Sequence, residues 1–194
     1  MLGQMPQPVL RTARLIMQPL DESHVDLELA LDTDPEVMQY VGGPAVDGAA
    51  VRRSHERRIA LARQVDGLGF WMAFTHPEPS ETTGEPVGLL MLPPAHGPDQ
   101  PDDPRVADLG YRLARSAWGH GYAREAVTAL LAHALETVGQ TRVIAQTRSD
   151  NDRSRRLLED VGLRYVRTFR SLDDPTDGPP DVEYEITADH RRHG

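Results

Sequence analysis

Trp118-Gly119-His120-Gly121-Tyr122-Ala123-Arg124-Glu125-Ala126 is the stretch on which the reading of this chain turns. It follows a strand-like run from Val106 to Leu113. It opens a segment with apolar residues at Ala123, Ala126, Val127, Leu130, Leu131, Ala134, Leu135 and Val138. Steps of three and one put those residues on one face of an α-helix, and Gly139 is its natural C-cap. The first turn of a helix leaves N–H groups unpaired and carries partial positive charge. Glycines ahead of it let a ligand approach the backbone closely, so a phosphate or diphosphate fits there without a lysine. The same glycines also suit a tight strand-to-helix turn that binds nothing. A dinucleotide-binding loop fits only in part, because Arg124 stands where the third glycine belongs and the loop comes late in the chain.

Working outward, Arg14 to Leu20 reads as a first strand ended by Pro19, and Asp21 caps a helix running through Val25, Leu27, Leu29 and Leu31. Asp34-Pro35 starts a second short helix through Val37 and Met38. Asp47 to Asp66 is an arginine-rich helix. Its Arg52, Arg53, Arg57 and Arg58 are either a solvated face or a rim that attracts an anionic substrate. Leu68 to Thr75 and Pro86 to Leu92 are strands joined by a polar loop through Pro77, Pro79 and Gly84, and Pro93 to Pro104 is a second loop. On the far side, Arg142 to Thr147 is a strand, Asn151 to Val161 a helix stopped by Gly162, and Leu163 to Leu172 with Val182 to Thr187 a closing hairpin. This order predicts one α+β (three-layer α/β) domain over residues 10–187 around a mixed sheet. A short arm (residues 1–9) precedes it and a flexible tail (residues 188–194) follows.

The chain has 194 residues, 21 Lys plus Arg and 30 Asp plus Glu, for a formal net charge of −9. A uniformly basic, nucleic-acid-coating surface is not expected, and an acidic balance favours a cationic partner. There is no cysteine, which removes disulfides, thiolate metal sites and a cysteine nucleophile, and fits a cytoplasmic setting. There is no lysine either, which removes a Schiff base and a P-loop lysine. No run reaches the roughly 20 apolar residues of a membrane span, and Met1 to Pro8 lacks the cationic start and apolar core of a secretory signal. His55-Glu56 has no second histidine at metalloprotease spacing, and no metal is expected.

A second motif follows the strand Val143 to Thr147. In Asn151-Asp152-Arg153-Ser154, the asparagine and serine stand three apart and can share one side of a helical turn. Taken singly, both suit helix capping. Taken with the glycine segment, they make the chain resemble the GNAT superfamily of acyl-CoA-dependent N-acyltransferases, and within it the branch of the ribosomal-protein N-terminal acetyltransferases. Trp118 to Ala126 matches that branch's form of the acetyl-CoA motif, with Trp118 where Gln or Arg is usual. Asn151, Ser154, Leu157 and Gly162 match the later motif, with Leu163 in place of Phe. Thr12-Ala13-Arg14-Leu15-Ile16, Asp34-Pro35-Glu36-Val37-Met38 and Asp108-Leu109-Gly110-Tyr111 add to the likeness.

The resemblance implies a mostly antiparallel sheet with splayed central strands and helices on both faces. It implies that acetyl-CoA lies against Tyr111, Leu113, Trp118, Gly119, His120, Gly121, Tyr122, Ala123, Asn151 and Ser154, with His120 a solvent-facing position of the loop. The acceptor is a primary amine, at a protein N-terminus or on a small molecule, and a homodimer is in keeping with it. Without cysteine, direct attack of the amine on the thioester is the simplest route. Asp108 is the first candidate for the base, with Asp173 and Glu183 behind it. A strand N–H near Leu113 would polarise the carbonyl. Ser154 is the candidate acid, since Leu158 stands where many members carry a tyrosine; Tyr165 and Tyr184 are further options. Competing readings are a non-catalytic acyl-CoA sensor and a dinucleotide-binding enzyme.

Overall fold

A computed structural model describes residues 5–45, 47–77, 84–171 and 178–192. Its strands and helices alternate as α+β, in the order β1 (Leu10–Arg11), β2 (Leu15–Pro19), α1 (Val25–Thr33), α2 (Gly48–Ala62), β3 (Gly69–Thr75), β4 (Pro86–Leu92), β5 (Val106–Asp108), β6 (Gly110–Leu113), α3 (Tyr122–Ala132), β7 (Arg142–Arg148), α4 (Asp152–Asp160), β8 (Arg164–Phe169), β9 (Asp181–Thr187) and α5 (Ala188–Arg192). The strands make a five-stranded sheet, β1-β2-β3-β4-β6, and a four-stranded sheet, β5-β7-β9-β8. The first is antiparallel throughout, and the β5–β7 pair of the second is parallel.

Period-two alternation in β3 explains the layers. Phe70 and Met72 face α1 and α2, where they pack with Leu20, Leu31, Ile59 and Leu89. Trp71 and Ala73 face the other side, where they join Met17, Leu90, Leu92 and the apolar stripe Ala126, Val127, Leu130 and Leu131 of α3. Helices therefore cover both faces, as the resemblance implies. The arm is tied to this body: the Trp71 indole donates to Pro8 O at 2.8 Å and Gly67 N to Met5 O at 2.9 Å.

Four local expectations change. Val106 to Leu113 is not one strand. It breaks at Leu109, whose N–H bonds Ile144 O at 2.8 Å, so β5 enters the second sheet while β6 pairs antiparallel with β4. Asp34 to Met38 is a turn rather than a helix: the Asp34 carboxylate accepts from Glu36 N at 2.9 Å and competes with helical pairing. The α3 helix widens to a π-turn over His133–Val138 before Gly139, burying His133, Ala134 and Leu135 in succession. Ala188–Arg192, expected in the tail, forms a short helix. Pro79 and Asp173 lie outside the described residues.

Candidate active site

Because β5 and β6 are separated by one residue yet belong to different sheets, β6 and β7 diverge. The gap is a cleft of about 930 Å³, a size suited to a small ligand or cofactor arm. Asp108, Tyr111, Leu113, Trp118, Gly119, Gly121, Tyr122, Ala123, Asn151 and Ser154 all line it, so residues far apart in sequence meet in one place. His120 is not among its walls; its exposed ring stacks on Tyr122 at 5.5 Å.

At one end stands the glycine loop. Gly119 and Gly121 hold φ of 79° and 77°, the left-handed region that glycine adopts at no steric cost. Gly121 is the N-cap of α3 and offers no side chain to its N–H groups. A Cβ at Gly119 would meet nothing within 4 Å, so the space before the loop is open. Arg14 NH1 donates to His120 O at 2.8 Å. In a planar trans peptide, the N–H of Gly121 then points the opposite way from that held carbonyl. Glu125, one turn into α3, fixes Arg14 in turn. Its carboxylate accepts from Arg14 Nε at 2.6 Å, Arg14 N at 2.8 Å and Thr12 Oγ1 at 2.5 Å. Burial alone would raise the Glu125 carboxyl, but these donors outweigh it and hold it below its ordinary value. The loop can therefore present main-chain donors to an anion, which fits a diphosphate.

Trp118 closes the corner between β6 and α3. Its indole donates to Leu113 O at 2.9 Å, and Arg153 lies 4.9 Å over its ring. Asn151 caps α4, its Oδ1 accepting from Ser154 N at 3.3 Å while Nδ2 donates to Thr147 Oγ1 at 3.0 Å. Capping and cleft-lining thus coincide in this residue. Ser154 Oγ and Tyr111 OH are hydrogen-bonded at 2.8 Å across the gap between α4 and β6. Burial pushes the Tyr111 phenol up to about 12, so it stays protonated at ordinary pH.

Asp108 ends β5 where the sheets part. Burial pushes its carboxyl above the usual carboxylate value, against opposing effects from a Gln100 hydrogen bond and His96. The alternatives are placed elsewhere. Glu183 is buried and paired with Arg167 at 2.9 Å, behind the cleft-lining Gln146 and not itself a wall. Tyr184 is fully buried, donating to Glu159 at 2.9 Å and accepting from Arg155 at 3.2 Å. Tyr165 is exposed and bonded to Thr168. None of Arg52, Arg53, Arg57 and Arg58 reaches the cleft; the first three are exposed, and Arg58 turns inward to Glu28. The glycine loop is not part of a β–α–β unit within one sheet, because β6 and β7 lie in different sheets, which counts against the dinucleotide reading. Sequence reasoning missed Gln100 and Gln146, which line the cleft beside Asp108, and the clamp role of Arg14 and Thr12.

Residues 14–164 match the family model described as "Acetyltransferase (GNAT) domain". The FsC-acetyl coenzyme A-N(2)-transacetylase of Aspergillus fumigatus is 34% identical over 190 residues, covering 94% of this chain and 77% of that protein. An acetyltransferase (GNAT family) from Bacillus anthracis superposes with a TM-score of 0.76 at 17% identity, over 94% of this chain and 99% of that one. RimL, a ribosomal alpha-N-protein acetyltransferase solved in complex with coenzyme A, does so with a TM-score of 0.74 at 20% identity, over 94% and 98%. At those identities the two structures speak to the fold.

Proposed function

The chain belongs to the GNAT acetyltransferase family and is an N-acetyltransferase, and from that premise we propose that it moves the acetyl group of acetyl-CoA directly to a primary amine, with Asp108 and Ser154 handling the protons. One observation carries the reading: a single cleft is walled at one end by the open glycine loop and elsewhere by Asp108 and Ser154. The name of the Aspergillus relative, with its acetyl coenzyme A donor and N(2) acceptor, and the coenzyme A complex of RimL point the same way. Acetyl-CoA supplies an activated acyl thioester, whose displaced sulfur leaves as a thiolate.

Under this reading the N–H groups from Gly119 to Ala123 hold the diphosphate. Tyr111, Leu113, Asn151 and Ser154 flank the arm that carries the thioester. An alkylamine has a pKa near ~10 and must lose a proton before it attacks. Asp108 takes that proton, directly or through water, and its raised affinity for protons suits it to the task. The strand N–H near Leu113 faces the charge that develops on the carbonyl oxygen. Ser154, hydrogen-bonded to the protonated Tyr111, hands a proton to the leaving sulfur. The acceptor is a peptide N-terminus or a small amine.

The test incubates the protein with acetyl-CoA and panels of N-terminal peptides and small amines, and follows thiol release. Turnover that disappears in Asp108→Ala, with coenzyme A binding intact, is the expected result. Binding without thiol release for every amine would instead support an acyl-CoA sensor.

A further inference from the structure

Gln100, in the loop between β4 and β5, has an amide whose direction is settled by its neighbours. Its Oε1 accepts from His96 N and Gly97 N, both at 3.1 Å. The Nε2 end must then face the other way, and it donates to Asp108 Oδ2 at 2.9 Å and to Gln146 Oε1 at 3.3 Å. Gln146 is ordered in the same sense, its Nε2 donating to Glu183 Oε2 at 2.8 Å. Arg167 NH2 holds that oxygen at 2.9 Å from the far side. A connected network therefore links Arg167 on β8, Glu183 on β9, Gln146 on β7 and Gln100 to the last residue of β5, with Glu183 accepting from Arg167 and Gln146, and Gln100 donating to both Gln146 and Asp108. Gln100 and Gln146 line the cleft with Asp108, and among the described residues the Gln100 bond goes to Oδ2 and none goes to Oδ1.

We infer that Gln100 is a positioning residue for acetyl transfer: it occupies Oδ2 of Asp108, turns Oδ1 toward the amine, and is itself oriented by the His96–Gly97 backbone. The inference rests on Asp108 being the base. Physically, a carboxylate with one oxygen pinned cannot rotate away from its acceptor, and a neutral donor steadies the charged form that burial disfavours. The titratable groups that bear on Asp108 are His96, which favours its charge, and Glu183, which opposes it. Arg167 neutralises Glu183 from behind.

The discriminating variant is Gln100→Glu. It retains an oxygen for the His96 and Gly97 N–H groups and replaces the donor facing Asp108 with an acceptor. Two readouts apply to the chain as a whole: the Asp108 13Cγ titration by NMR, assigned by its loss in Asp108→Asn, and the pH profile of kcat/KM for thiol release from acetyl-CoA with the amine panel. Both the carboxyl midpoint and the acid limb should rise by about one pH unit or more. Gln100→Met, which lacks both amide ends, should move them in the same direction and serves if the glutamate variant does not fold. An unchanged midpoint in a folded variant overturns the inference while leaving Asp108 as base. Full turnover by Asp108→Asn removes the base and, with it, any positioning role for Gln100.

Discussion

Glu28→Ala tests the packing that supports the cleft. Glu28 is fully buried on α1, and its two carboxylate oxygens meet His55 and Arg58 of α2. Beside it, Asp32 pairs with Arg112 of β6 at 2.7 Å, and Arg112 NH2 lies 4.0 Å from Glu28 itself. Glu28 and Asp32 face Arg58 and Arg112, and alanine at 28 leaves Asp32 alone against the two guanidinium groups. Breaking a buried ion pair from one side costs about 3–5 kcal/mol. A chain of this size loses about 2–4 °C of melting temperature per kcal/mol, so Tm should fall by about 6–20 °C. Calorimetry or far-UV circular dichroism reads this directly. Glu36→Ala is the control. Its partner Arg115 and Glu36 itself are 53% and 57% exposed, and such a pair contributes about 0–1 kcal/mol. A second check follows from the same physics: Glu28→Met combined with Arg58→Met removes both charges, and should recover much of the loss. If Glu28→Ala melts no lower than Glu36→Ala, the account of this cluster as a one-sided liability is wrong.

Ser154→Ala should lower kcat by about 10²-fold with little change in the KM for acetyl-CoA, because a placed proton donor is lost while the glycine loop is untouched; an unaltered kcat would remove Ser154 from the proton path. Arg14→Ala should do the reverse. Releasing the His120 carbonyl frees the Gly121 peptide to rotate, and a tenfold rise in acetyl-CoA KM corresponds to about 1.4 kcal/mol of lost binding. Glu125 has a carboxyl held below its ordinary 4.5, so it adds stability at higher pH that is lost as pH falls through its lowered value. Glu125→Gln should therefore flatten the acid side of a Tm-against-pH curve, and an unchanged slope below pH 4.5 would count against the clamp.

Much of the fold was legible because its signals are local. The apolar stripe of α3 needs only its own spacing, and Asp47 and Asn151 cap the helices they precede by bonding to N–H groups two or three residues on. The missed features depend on distant partners. Val106 to Leu113 carries no mark of its break, since what divides it is Ile144 on one side and the antiparallel partners of β4 on the other. Gly88 reads as an ordinary strand glycine. Its φ is +155°, and a Cβ there would stand 2.2 Å from Arg112 O, so the close approach of β6 requires it. Arg58 reads as one of four surface arginines because its partner is thirty residues earlier, on another helix. Gln100 lies in a proline- and aspartate-rich loop, and only the fold brings it to Asp108.

The short strand β6 shows why these omissions are connected. Neighbouring side chains on a strand point to opposite faces. Tyr111 reaches across the cleft to Ser154, whereas Arg112 enters the buried cluster of Glu28 and Asp32 beneath α1. The cleft wall and the ionic core thus share one backbone segment, paired to β4 on a single edge. A strand with a free edge can open toward a ligand only if something fixes its position, and Arg112, buried against Asp32 and Glu28, supplies that. Among the described residues, Arg112 Nε and Nη2 and His55 Nε2 have no hydrogen-bond partner in this cluster, which has a cost in stability, and nothing in the proton chemistry requires these residues. Their physical sense lies in tying α1, α2 and β6 together, so that the gap between the two sheets keeps its width.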